Sequence, residues 1–587
     1  MRRDDRARAA ALLVVAACGG AGAGAGVATP PAPEARVRAL RAPPAADRRL
    51  PGAAYLAAIA ARVQPAWAQF VADCRLRLPA SHPLNRFELA VTIDLAIEPS
   101  GGVSGLDVET SGDADFDRAA RDAVIDSSPL PAPPPELVSD DDLVHVRWLF
   151  ARDDRQAGAA TASVDHVTLP LAGVIDHELA HGELARAANR IAAAPAGDPA
   201  VEPAVTRLMI AVLREALGSA DGTVVRAAID AIARAHATEL AADVRARLAD
   251  VNDTELRVVA IAAAGALGDV AAVPELAREL AVDLPAHPRL ATAEARSLVA
   301  LGHAADVAST VRAALDGASR GGPAVAAALG LLAIAPAPDL APRVRAYLAH
   351  GDVQTRAAAC AALAGGAPAW STIERGLDDG DGIVRAACAD AAAAHARDAA
   401  RGTARESVVY RLHQLVADRD HAARACAIAA LVALDPEHAP RAAADPAPQV
   451  RAAYAVALAA APPAFATARD DLAALAGDGD PDVRAAAVVA LAARDELAAP
   501  DAARAAASDA SPVVRVAAIP RVAASDADLL ARLAGDADPG LASAATIRLA
   551  TVRGRAASTR ALLDRIAAAP AGSAERVRAA VAWLLAG

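Results

Sequence analysis

The hexapeptide Asp176-His177-Glu178-Leu179-Ala180-His181 places two histidines four residues apart with a glutamate beside the first. On a helix that spacing puts both imidazoles on one face, where they can ligate zinc while the glutamate acts as general base on a metal-bound water. Glu202, further along the chain, is the candidate third ligand. The same histidines share their stripe with Leu184, Ala188 and Ile191, which is what simple helix packing selects. A peptidase also needs a substrate-binding sheet ahead of this helix, and the segment there reads as linker. The expectation is a packing helix and a protein that is not an enzyme, with no catalytic residue, no metal and no cofactor. The alternative is a zinc metallopeptidase using this motif.

Cysteine is the other reactive type. There are 5 in 587 residues, none in C-x-x-C spacing, which excludes a disulfide-stapled scaffold and a zinc ribbon. Cys360, Cys388 and Cys426 recur at nearly the same place in successive repeats and read as small buried residues. Cys18 is different. Ahead of it stand Arg2, Arg3, Arg6 and Arg8, then an apolar run from Ala9 to Ala17. That run is too short for a bilayer span, which takes ~20 residues, and has the layout of a secretory signal. Val15-Ala16-Ala17-Cys18-Gly19 resembles the lipobox of bacterial lipoproteins. The resemblance implies removal of residues 1–17 as a signal peptide and acyl chains on Cys18, which anchor the chain to a membrane facing the periplasm. Gly19 in place of Asp implies the outer rather than the inner membrane. Residues 18–50, rich in Gly, Ala and Pro, form a flexible linker.

The elements that would position these groups follow from composition. Apolar residues make up 55% of the chain and aromatics 2%, and alanine, the best helix former, is about 30%. This is an α-dominated, multidomain composition. The net charge of −12 argues against a nucleic-acid partner, which would normally meet a basic patch.

Residues 51–152 differ from the rest, because they hold Tyr55, Trp67, Phe70, Phe87, Phe116, Trp148 and Phe150, more than half of the aromatics. Tyr55, Ile59, Val63, Trp67 and Val71 recur every four residues and predict a helix over Ala53 to Asp73. From Phe87 to Ile97 the period drops to two, which predicts a strand. Pro99-Ser100-Gly101-Gly102 is a turn into a second strand from Val103 to Thr110. Asp115 caps a second helix, and Leu143 to Phe150 alternates again as a third strand. The expected fold is a small α+β domain in the order α-β-β-α-β.

Tyr55-Leu56, Val63-x-Pro65-x-Trp67, the Pro-Ser-Gly-Gly turn, Ser111-Gly112, Phe116-Asp117, the Pro129–Pro135 run and Val146-x-Trp148-x-Phe150 resemble the C-terminal domain of the TonB/TolA energy-transducer family. That resemblance implies a domain that grips an extended peptide by β-augmentation along the edge of the last strand. Carried over, the partner edge is Val144, Val146, Arg147 and Trp148. A transducer of that family has an N-terminal membrane span, whereas this chain is expected to carry a lipid anchor, so peptide gripping survives the comparison better than energy transduction.

Residues 153–170 read as linker, and 171–587 as an array. A motif of the form Val-Arg-x-Ala returns at Arg226, Arg385, Arg451, Arg484 and Arg515, with looser copies at Arg257, Arg356 and Arg424. Asp445-Pro446, Asp480-Pro481, Ser511-Pro512 and Asp538-Pro539 set a capping oxygen before a proline, a helix start. Each unit is a pair of short helices that resembles the HEAT repeat in its short, phycobilisome-lyase form. The expected architecture is a long α-solenoid of HEAT repeats, with the helix carrying Trp583 as a cap. Together these readings describe an envelope-anchored lipoprotein scaffold or adaptor. It would bind protein partners, including an extended peptide of a periplasmic or outer-membrane protein, and touch the membrane only through its lipid. A TonB-type transducer for outer-membrane transport is a further alternative.

Overall fold

The computed structural model describes residues 39–41, 51–195, 197–250, 253–317, 322–397, 402–462, 465, 467–494 and 499–586. Cys18, the signal segment and most of the 18–50 linker lie outside them. The chain divides into two units, Met1–Pro170 and Leu171–Gly587.

In the first unit, helix α1 (Pro51–Arg77) carries the four-residue stripe into the core, where Tyr55, Ile59, Val63, Trp67 and Val71 are all buried. Strand β2 (Ala90–Ile97) alternates as the sequence demands, with Val91, Ile93, Leu95 and Ile97 inward. Strand β3 (Val103–Glu109), helix α2 (Ala114–Ile125) and strand β4 (Val144–Ala151) follow. Trp67 is the centre of the core, edge-on to Phe116 at 5.1 Å and to Phe150 at 5.3 Å, which is why the aromatics concentrate here. The turn between β2 and β3 needs its glycine. Gly101 has φ +87°, and a Cβ there would come within 2.0 Å of the Leu130 carbonyl oxygen.

Three sequence expectations change. Phe87 lies ahead of β2 and is exposed, because the chain is still turning there. The cap of α2 is Asp113, whose carboxylate accepts from the amides of Asp115 and Phe116, and Asp115 is already in the first turn. Residues 153–170 are not a free linker. Ala162–Asp165 form strand β5, which pairs antiparallel with β4, and Ala39–Arg41 form β1 outside it, giving the order β1-β5-β4-β2-β3. Ala162 and Val164 are buried, so two inward side chains and the ladder hold the strand; four residues are too few for periodicity to reveal it.

The second unit is a stack of helix pairs. The second helices of the pairs are Gly222–Ala235, Thr254–Leu267, Pro288–Ala300, Pro323–Leu331, Val353–Ala362, Gly382–Ala394, His421–Leu434, Pro448–Ala459, Pro481–Ala493, Pro512–Ala518, Pro539–Arg553 and Ala574–Leu585. Each packs on the next, and the last packs on the first. Helix Arg555–Ala568 likewise packs on Leu184–Ala193. The helix with Trp583 is therefore not a cap on an open end but the closure of the array. Arg576 holds Glu215 at 3.2 and 3.1 Å, Gly572 donates its amide to Glu215 at 3.0 Å, and Arg555 reaches Glu202 at 3.2 Å while lying 4.3 Å over the Trp583 ring.

The recurring arginine explains the repeat. Arg356 grips Asp379, Arg385 grips Asp418, Arg424 grips Asp445, Arg451 grips Asp478 and Arg484 grips Asp509, each through Nε and Nη2 at 2.7–3.2 Å. The acceptor is always an aspartate of the following repeat. Its carboxylate also accepts from the amide two residues on, as in Asp420 to Asp418 at 2.8 Å, and its carbonyl accepts from the next arginine, as in Arg424 to Asp418 at 2.8 Å. Each rung thus ties two repeats and a turn together. Asp445 belongs to this set; it caps nothing, and the following helix begins at Pro448. Burial opposes ionisation of Asp379, Asp418 and Asp445, but the arginine and amide bonds outweigh it and hold these carboxyls below the usual range. For Asp478 and Asp509 the arginine bond is the leading influence in the same direction. A depressed carboxyl stabilises above its unfolded pKa and loses that contribution as pH falls through the folded one, so the array is expected to melt early in acid.

The Arg385–Asp418 rung is the most enclosed, with side-chain exposures of 10% and 8%. Arg385→Ala is expected to cost about 3 kcal/mol, because it leaves a buried carboxylate without its cation. Urea titration of the variant checks this, and a change under about 0.5 kcal/mol would show that the rung contributes little.

Candidate functional site

The sheet of the first unit presents two very different edges. Val144, Val146 and Trp148 point into the core with essentially no exposure, while Arg147 lies on the other face, 3.3 Å from Asp94 of β2 and 2.6 Å from Glu109 of β3. This row joins three strands across the outer face. Along its length β4 pairs with β2, and from His145 to Trp148 it pairs on its other side with β5. The expected partner edge at Val144, Val146, Arg147 and Trp148 is thus already filled by the chain's own strand. The backbone groups a peptide would have used are satisfied by Ala162–Asp165. Further bonds hold this return in place: Trp148 Nε1 donates to the Gly158 carbonyl at 3.3 Å, the Val167 amide to Ser139 Oγ at 3.1 Å, and the Leu169 amide to Asp140 at 3.1 Å.

At the opposite edge, β3 has β2 as its one neighbour in the sheet. Seven residues from Val103 to Glu109 run there with exposed Ser104, Asp107 and Glu109 between half-buried Val103, Leu106 and Val108. This is the long strand with a free side among the described residues. Sequence reading missed it because the neighbours of a strand are set by topology, not by its own residues.

The histidine motif lies on helix Leu171–Ala180 and the turn after it. His177 and His181 do stand together, their rings 4.4 Å apart, and His181 Nδ1 lies 2.8 Å from the His177 carbonyl oxygen. Glu178 is turned inward with 1% exposure and sits 3.3 Å from Arg190 and 3.9 Å from Arg186. Glu202 is bound to Arg555. The proposed base and third ligand are thus both engaged by arginines. Among the described residues no group of three or more His, Cys, Asp or Glu is arranged to hold a metal ion.

The cysteines depart further from expectation. Cys360 and Cys388 are not two separate small residues but a disulfide, with Cα atoms 4.8 Å apart on neighbouring helices of the stack. A step of 28 residues returns the chain to the same height one repeat on, so the two side chains meet. Cys426 stays free, and burial together with Asp390 pushes its thiol up to about 12.

Comparison with known proteins bears on the small unit. Residues 52–145 match the family model described as TonB C terminal. The match supports a protein-interaction role and an association with the cell envelope, and it covers a minor part of the chain. No curated protein matches significantly. Solved structures that overlap part of this chain include Kap95p, described as inducing the switch loops of RanGDP to adopt the GTP-bound conformation, at 12% identity and TM-score 0.28, covering 66% of this chain and 62% of that one. A Kap121p mutant overlaps at 14% identity and TM-score 0.25, covering 64% and 53%, and an engineered protein at 17% and 0.22, covering 66% and 97%. The chain thus spans less than two thirds of the length of the two natural proteins, and overlaps at this level do not define a common fold. No described helix is long and apolar enough to cross a membrane.

Proposed function

We propose that this chain is an envelope lipoprotein, anchored through Cys18, that gathers protein partners on a TonB-type domain and a ring of HEAT repeats. The observation that carries the reading is the sheet order. A TonB-type sheet that has filled its β4 edge with its own strand leaves β3 as the edge on which an extended peptide can add. The disulfide within the helical unit supports an oxidising compartment such as the periplasm. No catalytic role enters this reading.

The test is an affinity capture from the envelope fraction with Asp107→Pro and Val108→Pro chains beside the unaltered one. Adjacent amides of a strand point to opposite sides, so one proline blocks the outer edge alone and the other cuts the ladder to β2. Thermal melting tells them apart. The stable variant is expected to lose a captured partner, and retention of every partner by that variant would sink the β3 assignment. Metabolic labelling with a radioactive fatty acid, lost in Cys18→Ser, tests the anchor independently.

A further inference from the structure

Glu294, in helix Pro288–Ala300, has no solvent exposure at all. From helix Val273–Ala286 it is faced by Asp283, 4% exposed, and by Glu279; from helix Thr254–Leu267 it is faced by Arg257. That guanidinium is the one cation of the group and is spread thinly, 3.5 Å from Asp283, 3.6 Å from Glu279 and 3.9 Å from Glu294. Glu279 is also held by Arg278 at 2.8 Å. Helix Ala304–Gly317 has its charges engaged elsewhere, Asp306 with His303, Arg312 with Asp339 and Asp316 with Arg343, and helix Pro323–Leu331 has no titratable residue. Among the described residues, neither oxygen of Glu294, nor Oδ2 of Asp283, receives a hydrogen bond from any other group. Leu280, Leu284, Leu290 and Leu298 of the same two helices are buried as well.

Three ionised carboxylates against Arg257 and the exposed Arg278 would still leave net negative charge in this packing, which is costly unless a proton relieves it. We propose that Glu294 is a neutral carboxylic acid that donates its proton to Asp283, and that this shared proton latches helices Pro288–Ala300 and Val273–Ala286 together and is released as the medium turns alkaline. Burial first, and the Asp283 charge second, push the Glu294 carboxyl up to about 8, against the weaker pull of Arg257. The sign follows from linkage. The unfolded chain gives up this proton near the ordinary glutamate value, whereas the folded chain keeps it until the raised value. The contribution is full below the unfolded pKa and is lost as pH rises toward and through about 8. The device therefore opposes the rungs, which weaken in acid.

The experiment compares the full chain with Glu294→Gln from pH 6 to pH 9. Glutamine keeps a donor for Asp283 but cannot ionise. The unaltered chain is expected to lose roughly 5 °C more in unfolding midpoint over this range than the variant. Infrared difference spectra should show a protonated-carboxyl band at pH 6 that fades at pH 9 and is absent from Glu294→Gln. Should that variant fold poorly, Asp283→Asn serves instead, because removing the neighbouring charge lowers the pH at which the band fades. Parallel stability profiles, or no protonated-carboxyl band at pH 6, would overturn the proposal.

Discussion

Removing the Cys360–Cys388 disulfide is expected to destabilise the helical unit by about 3–4 kcal/mol, among the largest effects of any single covalent change in the chain. The estimate comes from the sequence separation of 28 residues, since the bond withholds that much loop freedom from the unfolded chain. Both sulfurs are fully buried, so the folded state does not have to expose them to keep the bond. The packing around them also depends on Gly376 of helix Trp370–Leu377, where a Cβ would meet Cys388 Sγ at 2.0 Å and Cys360 Sγ at 2.8 Å. Gly376→Ala should therefore be as damaging as loss of the bond, by overpacking rather than by chain entropy. Urea titration with and without reductant, on the unaltered chain and on Cys360→Ala/Cys388→Ala, separates the terms. The unaltered chain should lose stability on reduction, and the double variant should be indifferent to it. Equal midpoints for the oxidised and reduced chain would falsify the prediction.

Opening the ring is the second large effect. Arg576 is 7% exposed at its side chain, and besides Glu215 its Nε donates to the carbonyls of Ile566 and Ala569 at 3.2 and 3.1 Å. Arg576→Ala leaves those carbonyls and Glu215 without their shared partner, a cost of about 2–4 kcal/mol. The consequence goes beyond the local loss. An open stack of repeats is held by nearest-neighbour contacts and tends to unfold from its ends, whereas a closed one has no end from which to fray. The variant is expected to broaden a single unfolding transition into two and to raise the radius of gyration in small-angle scattering. A variant that keeps one sharp transition and the original radius would show that apolar packing around Trp583 closes the ring without the ion pair.

Much of this was legible in the residues. The four-residue stripe from Tyr55 to Val71, the alternation ending at Ile97 and the Pro-Ser-Gly-Gly turn each encode local geometry, and local geometry is what periodicity reports. The recurring arginine marked the repeats for the same reason. Its partner was also visible, as an aspartate six residues before the next arginine at Asp379, Asp418, Asp445, Asp478 and Asp509. Reading that aspartate as a helix cap at Asp445 mistook a bond between repeats for one within a helix. Spacing likewise puts His177 and His181 together, but it does not say that Glu178 turns inward toward Arg190.

The sequence by itself determined the helix pairs, the small aromatic-cored sheet domain and the order of their elements, because each depends on residues within a turn or two of one another. Tertiary structure decided everything that joins distant positions. It set β5 against β4, brought Cys360 to Cys388, buried Glu294 beside Asp283 and returned Arg576 to Glu215. The return of Arg576 to Glu215 depends on how many repeats stack and by how much each turns. That rotation is a sum of small packing angles, and no single residue carries it.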